Sequence, residues 1–264
     1  MPDFELRRIH AFVSEFARRQ AGRTLAFPGG FAVRDDAFAH SRGNNQVVVD
    51  GAVDPAALPA LADEALGDLP YRLISVLDDA TGAACAEPLV RAGYQHSVCL
   101  VMLHSGPAPA PGAGREAGVV DLDDLRGPLT RSWHDFLPDA GEEVVRHLVE
   151  RREARRRGAE VVHFIGSRAE DGEVASWADL YMDRASGTAQ IEDLVTSEDH
   201  LKRGHGDAVL AAALRMSAAA GCGTRFLIAE AEDWPRHWYA RRGFTAVGRM
   251  HSFERAQDVP VPFC

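Results

Sequence analysis

From Thr196 to Leu210 the chain reads Thr-Ser-Glu-Asp-His-Leu-Lys-Arg-Gly-His-Gly-Asp-Ala-Val-Leu, so a strand-like segment passes through a glycine-bearing loop straight into an alanine-rich helix. That order of residue types makes an anion-binding device. Gly204 and Gly206 let the backbone come close to a ligand. The first turn of the following helix then offers unpaired N–H groups and the positive end of its dipole. The ligand class implied is a phosphate-bearing cofactor.

Such a loop needs a framework, and the flanking pattern predicts one. The stretch Ser105-Gly106-Pro107-Ala108-Pro109-Ala110-Pro111-Gly112-Ala113-Gly114 has extended-favouring prolines and nothing to pack, so it reads as a linker. It divides the chain into an N-terminal domain at 1–104, a linker at 105–117 and a C-terminal domain at 118–264. In the last of these the pattern predicts a strand at 118–122 and two helical stretches within 126–157, broken around Pro138 and Gly141. Strands follow at 161–167, 174–183 and 188–196, set apart by Glu170-Asp171-Gly172 and Ser186-Gly187. A helix at 206–220 stops at Gly221 and Gly223, and a strand at 225–231, a short helix at 235–242 and a last strand at 244–253 complete the order. The helix joining strands 188–196 and 225–231 implies a right-handed parallel crossover, with ligands at the C-terminal ends of those strands.

The N-terminal part carries a weak internal echo. Tyr71 to Asp79 followed by Leu89-Val90-Arg91-Ala92-Gly93-Tyr94 resembles Arg225 to Asp233 followed by Tyr239-Ala240-Arg241-Arg242-Gly243-Phe244. Both read as strand, helix, Gly-aromatic, strand. The first copy lacks a glycine-rich loop before it and has Leu89 where the second has Tyr239, which makes it a degenerate duplicate.

Composition narrows the partners. The chain has 264 residues, 46% of them hydrophobic and 26% charged, a balance that supports a packed core. A formal net charge of −10 argues against a general nucleic-acid or anionic-membrane binder and leaves acidic or cationic partners as the better fit. The four cysteines Cys85, Cys99, Cys222 and Cys264 form no C-x-x-C pair, and the eleven histidines show no HExxH spacing, so neither a disulfide framework nor a metal is expected. Reduced thiols, a start without signal-peptide features and no apolar run of membrane-spanning length read as cytoplasmic. The run Arg151-Arg152-Glu153-Ala154-Arg155-Arg156-Arg157 reads as a solvated helix end whose charge suits the dipole, with an RNA or nucleotide grip as the sharper alternative.

Ile191-Glu192-Asp193-Leu194-Val195-Thr196, the loop Leu201-Lys202-Arg203-Gly204-His205-Gly206 and Trp238-Tyr239-Ala240-Arg241-Arg242-Gly243-Phe244 together resemble the GNAT superfamily of acetyl-CoA-dependent N-acetyltransferases over roughly residues 118–255. The resemblance implies an α/β (α+β) fold with a mixed, centrally splayed sheet and flanking helices, in tandem with a degenerate N-terminal GNAT-like domain. The family's loop pattern is Gln or Arg, two residues, Gly, one residue, then Gly or Ala. One frame starts at Arg203 and ends at Ala208. The other starts at Leu201 and is preferred because it keeps the spacing from Thr196 and from the helix at Asp207, although Leu201 replaces the polar first residue.

By this resemblance the loop amides cradle the coenzyme A pyrophosphate through Leu201, Lys202, Arg203, Gly204, His205, Gly206 and Asp207. The backbone of Leu194, Val195 and Thr196 pairs with the pantetheine arm like an added strand. Tyr239 becomes the general acid, since a phenol with a pKa of about 10 stays protonated at neutral pH and can protonate a departing thiolate. The base that must deprotonate an amine of pKa about 10.4 is Glu192 or Asp193. Strand alternation puts these two on opposite faces unless a bulge intervenes, and Glu192 is favoured. The implied reaction is direct transfer of acetyl from acetyl-CoA to a small-molecule or protein amine. A non-catalytic acyl-CoA-binding protein is the alternative, and monomer and homodimer both stay open.

Overall fold

The computed structural model describes residues 2–110 and 114–256; positions 111–113 of the expected linker, and Cys264, lie outside the described residues. Contacts divide the chain into two units, Met1–Leu103 with Ile228–Cys264, and His104–Leu227. The first unit contains α1 (Pro2–Gln20), β1 (Arg23–Phe27), β2 (Gly30–Arg34), β3 (Gln46–Val49), α2 (Leu58–Leu66), β4 (Tyr71–Val76), α3 (Asp79–Arg91) and β5 (Gln95–His104). The second contains β6 (Gly118–Val120), α4 (Leu122–Phe136), α5 (Glu142–Glu150), α6 (Arg152–Arg155), β7 (Val161–Arg168), β8 (Val174–Asp183), β9 (Thr188–Thr196), α7 (His205–Ala219) and the start of β10 (Thr224–Glu230). The chain then returns to the first unit with α8 (Pro235–Ala240) and β11 (Phe244–Ala256). Both units are mixed α/β, as the sequence implies.

In the second unit the strand order is β10-β9-β8-β7-β6, antiparallel except for the parallel pair β9 and β10. That pair is hydrogen-bonded only where Thr188, Ala189 and Gln190 face Thr224, Arg225 and Phe226. Beyond Gln190 the sheet splays on this edge. β8 is buried along nearly its whole length, including Trp177 and Tyr181, and α4 and α5 cover one face through Leu125, Leu129, Val145 and Val149. α7, which packs on β7, β8 and β9, forms because from Ala208 onward its residues are mostly strong helix formers. It ends where Gly221 takes φ +83° and Cys222 N–H donates to Ser217 O at 2.9 Å, closing the last turn.

In the first unit the order is β1-β2-β3-β4-β11-β5, with β3 and β4 parallel. Here the parallel strands do not splay. Val49 still faces Val76, and Leu77 N–H donates to Val49 O at 3.0 Å. The amides that follow β3, those of Asp50 and Gly51, both donate to Gly29 O. The unit therefore offers neither a gap between its parallel strands nor free amides after β3. The echo in the sequence is a strand-helix-strand copy with the ligand features closed.

The domain boundaries differ from the expected 1–104 and 118–264 at their C-terminal side. The last strand, expected to complete the C-terminal domain, pairs antiparallel with β4, with Phe253 opposite Ile74. Phe253 is fully buried in the cluster of Tyr71, Leu73 and Ile74, and Glu254 Oε1 accepts from Arg42 Nε at 2.6 Å. A strand's own pattern tells which face is apolar but not which neighbour it joins, so this exchange was not legible in the sequence.

α3 approaches β11 closely because residue 82 has no side chain. A Cβ at Gly82 would stand 2.3 Å from Cγ and Cδ2 of His251, whose Nε2 is already held 2.9 Å from Asp79 Oδ1. Gly82→Ala is expected to destabilise the first unit by about 1–3 kcal/mol. Thermal unfolding read by circular dichroism checks it, and an unchanged midpoint would contradict this packing. Among the described residues no helix is long and apolar enough to cross a membrane, and no group of three or more His, Cys, Asp or Glu could hold a metal ion.

Candidate active site

The site in the second unit begins with a bulge. Opposite β8, Asp179 faces Glu192 while Trp177 faces Val195, so β9 carries one residue more than its partner. The extra residue is accommodated at Asp193, whose φ of +50° is one that Asp tolerates better than most residues. This breaks the alternation and turns both carboxylates to one place. Asp193 Oδ2 accepts from Arg151 Nη2 at 2.9 Å, Arg152 Nη2 at 3.1 Å and Arg155 Nη1 at 2.7 Å. Glu192 Oε1 accepts from Arg155 Nη2 at 3.2 Å, and its Oε2 accepts from Gln190 Nε2 at 3.1 Å.

Beneath them Asp179, fully buried, accepts from Arg152 Nε at 3.0 Å, Arg155 Nη1 at 2.5 Å and the Tyr181 hydroxyl at 3.0 Å. The reading of the arginine run as a solvated helix end is corrected by these contacts. Arg152 is 1% exposed and Arg155 is buried as well, because α6 lays them over an acid in the middle of β8 that needs counter-charge. The same engagement leaves those two guanidinia unavailable to a nucleic acid.

The cluster pushes its two acids apart. Partial burial raises the Glu192 carboxyl above the usual range, Arg155 opposes this, and the charges of Asp193 and Asp179 add to it. Burial acts the same way on Asp193, but Arg155, Arg151 and Arg152 outweigh it and hold that carboxyl well below its ordinary value. Asp193 is thus a fixed anion. Glu192, with its side chain 33% exposed and its carboxyl raised, is the member better suited to exchange a proton.

After β9, backbone geometry makes the cradle. Ser176 Oγ donates to Val195 O at 2.7 Å, which ties the end of β9 to β8 on one side while Ile191 to Thr196 have no partner strand in register from β10. A turn at 198–200 leads to Leu201, 52% exposed, then to Lys202 at φ +60° and Gly204 at φ +83°. His205 opens α7, so Gly206 and Asp207 lie in its first turn, where amides lack intrahelical partners. Nothing stands within 4 Å of where a Gly204 Cβ would be, so the glycine serves the backbone angle rather than space.

Sequence reading missed what surrounds His205. Its ring is 1% exposed, and Nδ1 lies 2.9 Å from Ser167 Oγ, whose hydroxyl donates to Glu116 O at 2.9 Å. With that hydroxyl proton engaged, Nδ1 must be the donor, which leaves Nε2 as a bare acceptor, and it has no partner. Beside it opens a cavity of about 240 Å³, walled by Arg115, His200, Arg203, His205 and the turn at 169–171. The Arg115 Nε donates to Arg203 O at 2.9 Å.

Tyr239 sits on α8 in the first unit, edge-on to Trp238 with ring centroids 5.2 Å apart and to Phe244 at 5.7 Å. Its helix is short, ending before Gly243 at φ +85°.

The acetyltransferase (GNAT) family model matches residues 128–244. Residues 128–244 belong to the GNAT family. The matched segment lies inside the 118–255 resemblance and takes in the bulge, the loop and Tyr239. GNAT structures also resemble the chain over nearly its full length. A GCN5-related N-acetyltransferase from Kribbella flavida shares 17% identity at a TM-score of 0.62, covering 96% of this chain and 96% of that one. A tandem GNAT protein from the clavulanic acid biosynthesis pathway, solved without acetyl-CoA, shares 15% identity at 0.58, covering 98% and 97%. A functionally unknown conserved protein from Staphylococcus epidermidis shares 11% identity at 0.67, covering 89% and 94%. At these identities the likeness is one of fold. No curated protein matches the chain.

Proposed function

We propose that this GNAT protein is an N-acetyltransferase that moves the acetyl group of acetyl-CoA to a primary amine by direct attack. The observation that carries the reading is the splay of β9 from β10 after Gln190, immediately before a loop with left-handed Lys202 and Gly204 and a fifteen-residue helix. Backbone at Leu194, Val195 and Thr196 that meets no strand on the β10 side suits the amides of a pantetheine arm. The amides at the start of α7 suit a pyrophosphate.

In this reading the amine nitrogen forms a bond to the thioester carbonyl carbon, the C–S bond breaks, and the oxyanion between these steps is met by a backbone N–H near Leu194. Glu192, raised by its surroundings, accepts the amine's proton. Tyr239 returns a proton to the thiolate. A net charge of −10 favours a cationic acceptor, whether a small molecule or a protein amine.

A non-catalytic acyl-CoA-binding role has one specific support, the tie of Glu192 to both Arg155 and Gln190. Turnover separates the two. Incubation with acetyl-CoA and a library of amines, with free thiol measured, is expected to show amine-dependent release. Tight coenzyme A binding with no release across the library would leave the binding role standing.

A further inference from the structure

The cavity beside the loop is not needed for a pyrophosphate lying on the amides of α7, yet it is equipped for an anion. Arg115 and Arg203 bring two guanidinia that, among the described residues, take part in no ion pair, and a planar guanidinium fork matches phosphate oxygens. The Nε of Arg115 is fixed on Arg203 O, so its two Nη groups remain for a ligand. The remaining groups around His205 are also defined: His200 on the loop, and Glu170 and Asp171 on the turn between β7 and β8. Asp171 Oδ1 already accepts from Glu173 N–H. With both histidines neutral, two guanidinia and two carboxylates balance, and the cavity has no net pull on an anion.

His205 decides that balance. Its Nδ1–H is committed to Ser167, so the buried Nε2 presents a lone pair and would repel a phosphate oxygen. Two arrangements remove the conflict: a proton added at Nε2, which then donates to the phosphate, or a proton retained on the phosphate, which donates to Nε2. Each brings one proton into the complex. We propose that this cavity receives the ester phosphate of coenzyme A, the one on the ribose 3′ oxygen, and that its binding takes up a proton at the contact with His205.

This rests on the acetyl-CoA reading and adds to it a second phosphate subsite and a pH dependence. In the empty site, burial and then the charges of Arg115, His200 and Arg203 hold His205 below its ordinary value. A phosphate dianion reverses the influence of those charges, so the proton is taken up at pH values above the second ionisation of a phosphate monoester, near pH 6. Affinity for coenzyme A then tightens as pH falls through this window, by up to about tenfold per pH unit.

The test compares dissociation constants of coenzyme A and dephospho-coenzyme A at pH 8 and pH 6.5, with inorganic phosphate as a third probe. Coenzyme A is expected to bind about tenfold tighter than the dephospho form at pH 6.5, with a smaller margin at pH 8, because charge-assisted bonds to the ester phosphate are lost in the latter ligand. His205→Asn should flatten the pH dependence. Arg203→Ala, at an exposed position, should shrink the margin without disturbing the fold. Equal binding of the two ligands at both pH values overturns the proposal, as does a margin that neither variant changes. Tight binding of inorganic phosphate that coenzyme A does not displace assigns the cavity to a free anion and overturns it too. Binding of neither coenzyme instead sinks the acetyl-CoA reading on which it rests.

Discussion

Asp179→Ala should cost roughly 3–5 kcal/mol of stability, because it strips the buried guanidinia of Arg152 and Arg155 of the one fully buried acid among those that compensate them. Equilibrium urea unfolding followed by circular dichroism measures it. The exposed pair Arg91–Glu87 is the internal control, and breaking it should change stability by no more than about 0.5 kcal/mol. If Asp179→Ala proves no worse than the exposed control, the cluster is not a buried charge balance. The pH dependence has a definite sign. Asp193 is depressed in the fold, so its contribution is present above the ordinary carboxyl range and fades as pH falls below it, whereas Glu192 is raised, so its ionisation opposes folding as pH climbs.

The parts of this site that were legible in the sequence are those set by local backbone chemistry. Gly204 before an alanine-rich run announced a loop running straight into a helix, and both are there, with His205 rather than Gly206 as the first helical residue. The strands at 174–183 and 188–196 follow from their turns and alternation. What escaped are features made by residues far apart in the chain. The bulge at Asp193 depends on register against β8, so its carboxylate's turn toward Arg151, Arg152 and Arg155 could be named only as a condition. One signal for the cluster was present: an aspartate in the middle of Ser-Trp-Ala-Asp-Leu-Tyr, an apolar strand, requires cations, and the arginine run was the densest supply. α1 was not foreseen either, although its buried Ile9, Phe12 and Phe16 lie at helical spacing.

The proton for the leaving thiolate provides the sharpest test of catalysis. Tyr239→Phe removes one oxygen and keeps the ring that meets Trp238 and Phe244, so the edge-on packing of α8 should survive. If Tyr239 is the general acid, kcat should fall by about 10²–10⁴-fold while the dissociation constant for coenzyme A stays within about twofold. A thiolate of pKa about 8.5 can leave without help at high pH, so the deficit should narrow as the pH rises toward 9. Glu192→Gln acts on the other limb. Its raised carboxyl must be ionised to accept the amine's proton, so wild-type activity should climb with pH through that ionisation, and the variant should lose the climb. The two profiles distinguish acid from base, because one variant worsens toward low pH and the other loses its low-pH inflection. A Tyr239→Phe protein with full kcat at neutral pH would remove the phenol from the mechanism and leave water as the proton source, whereas a parallel loss of coenzyme A affinity would make Tyr239 part of the slot's wall.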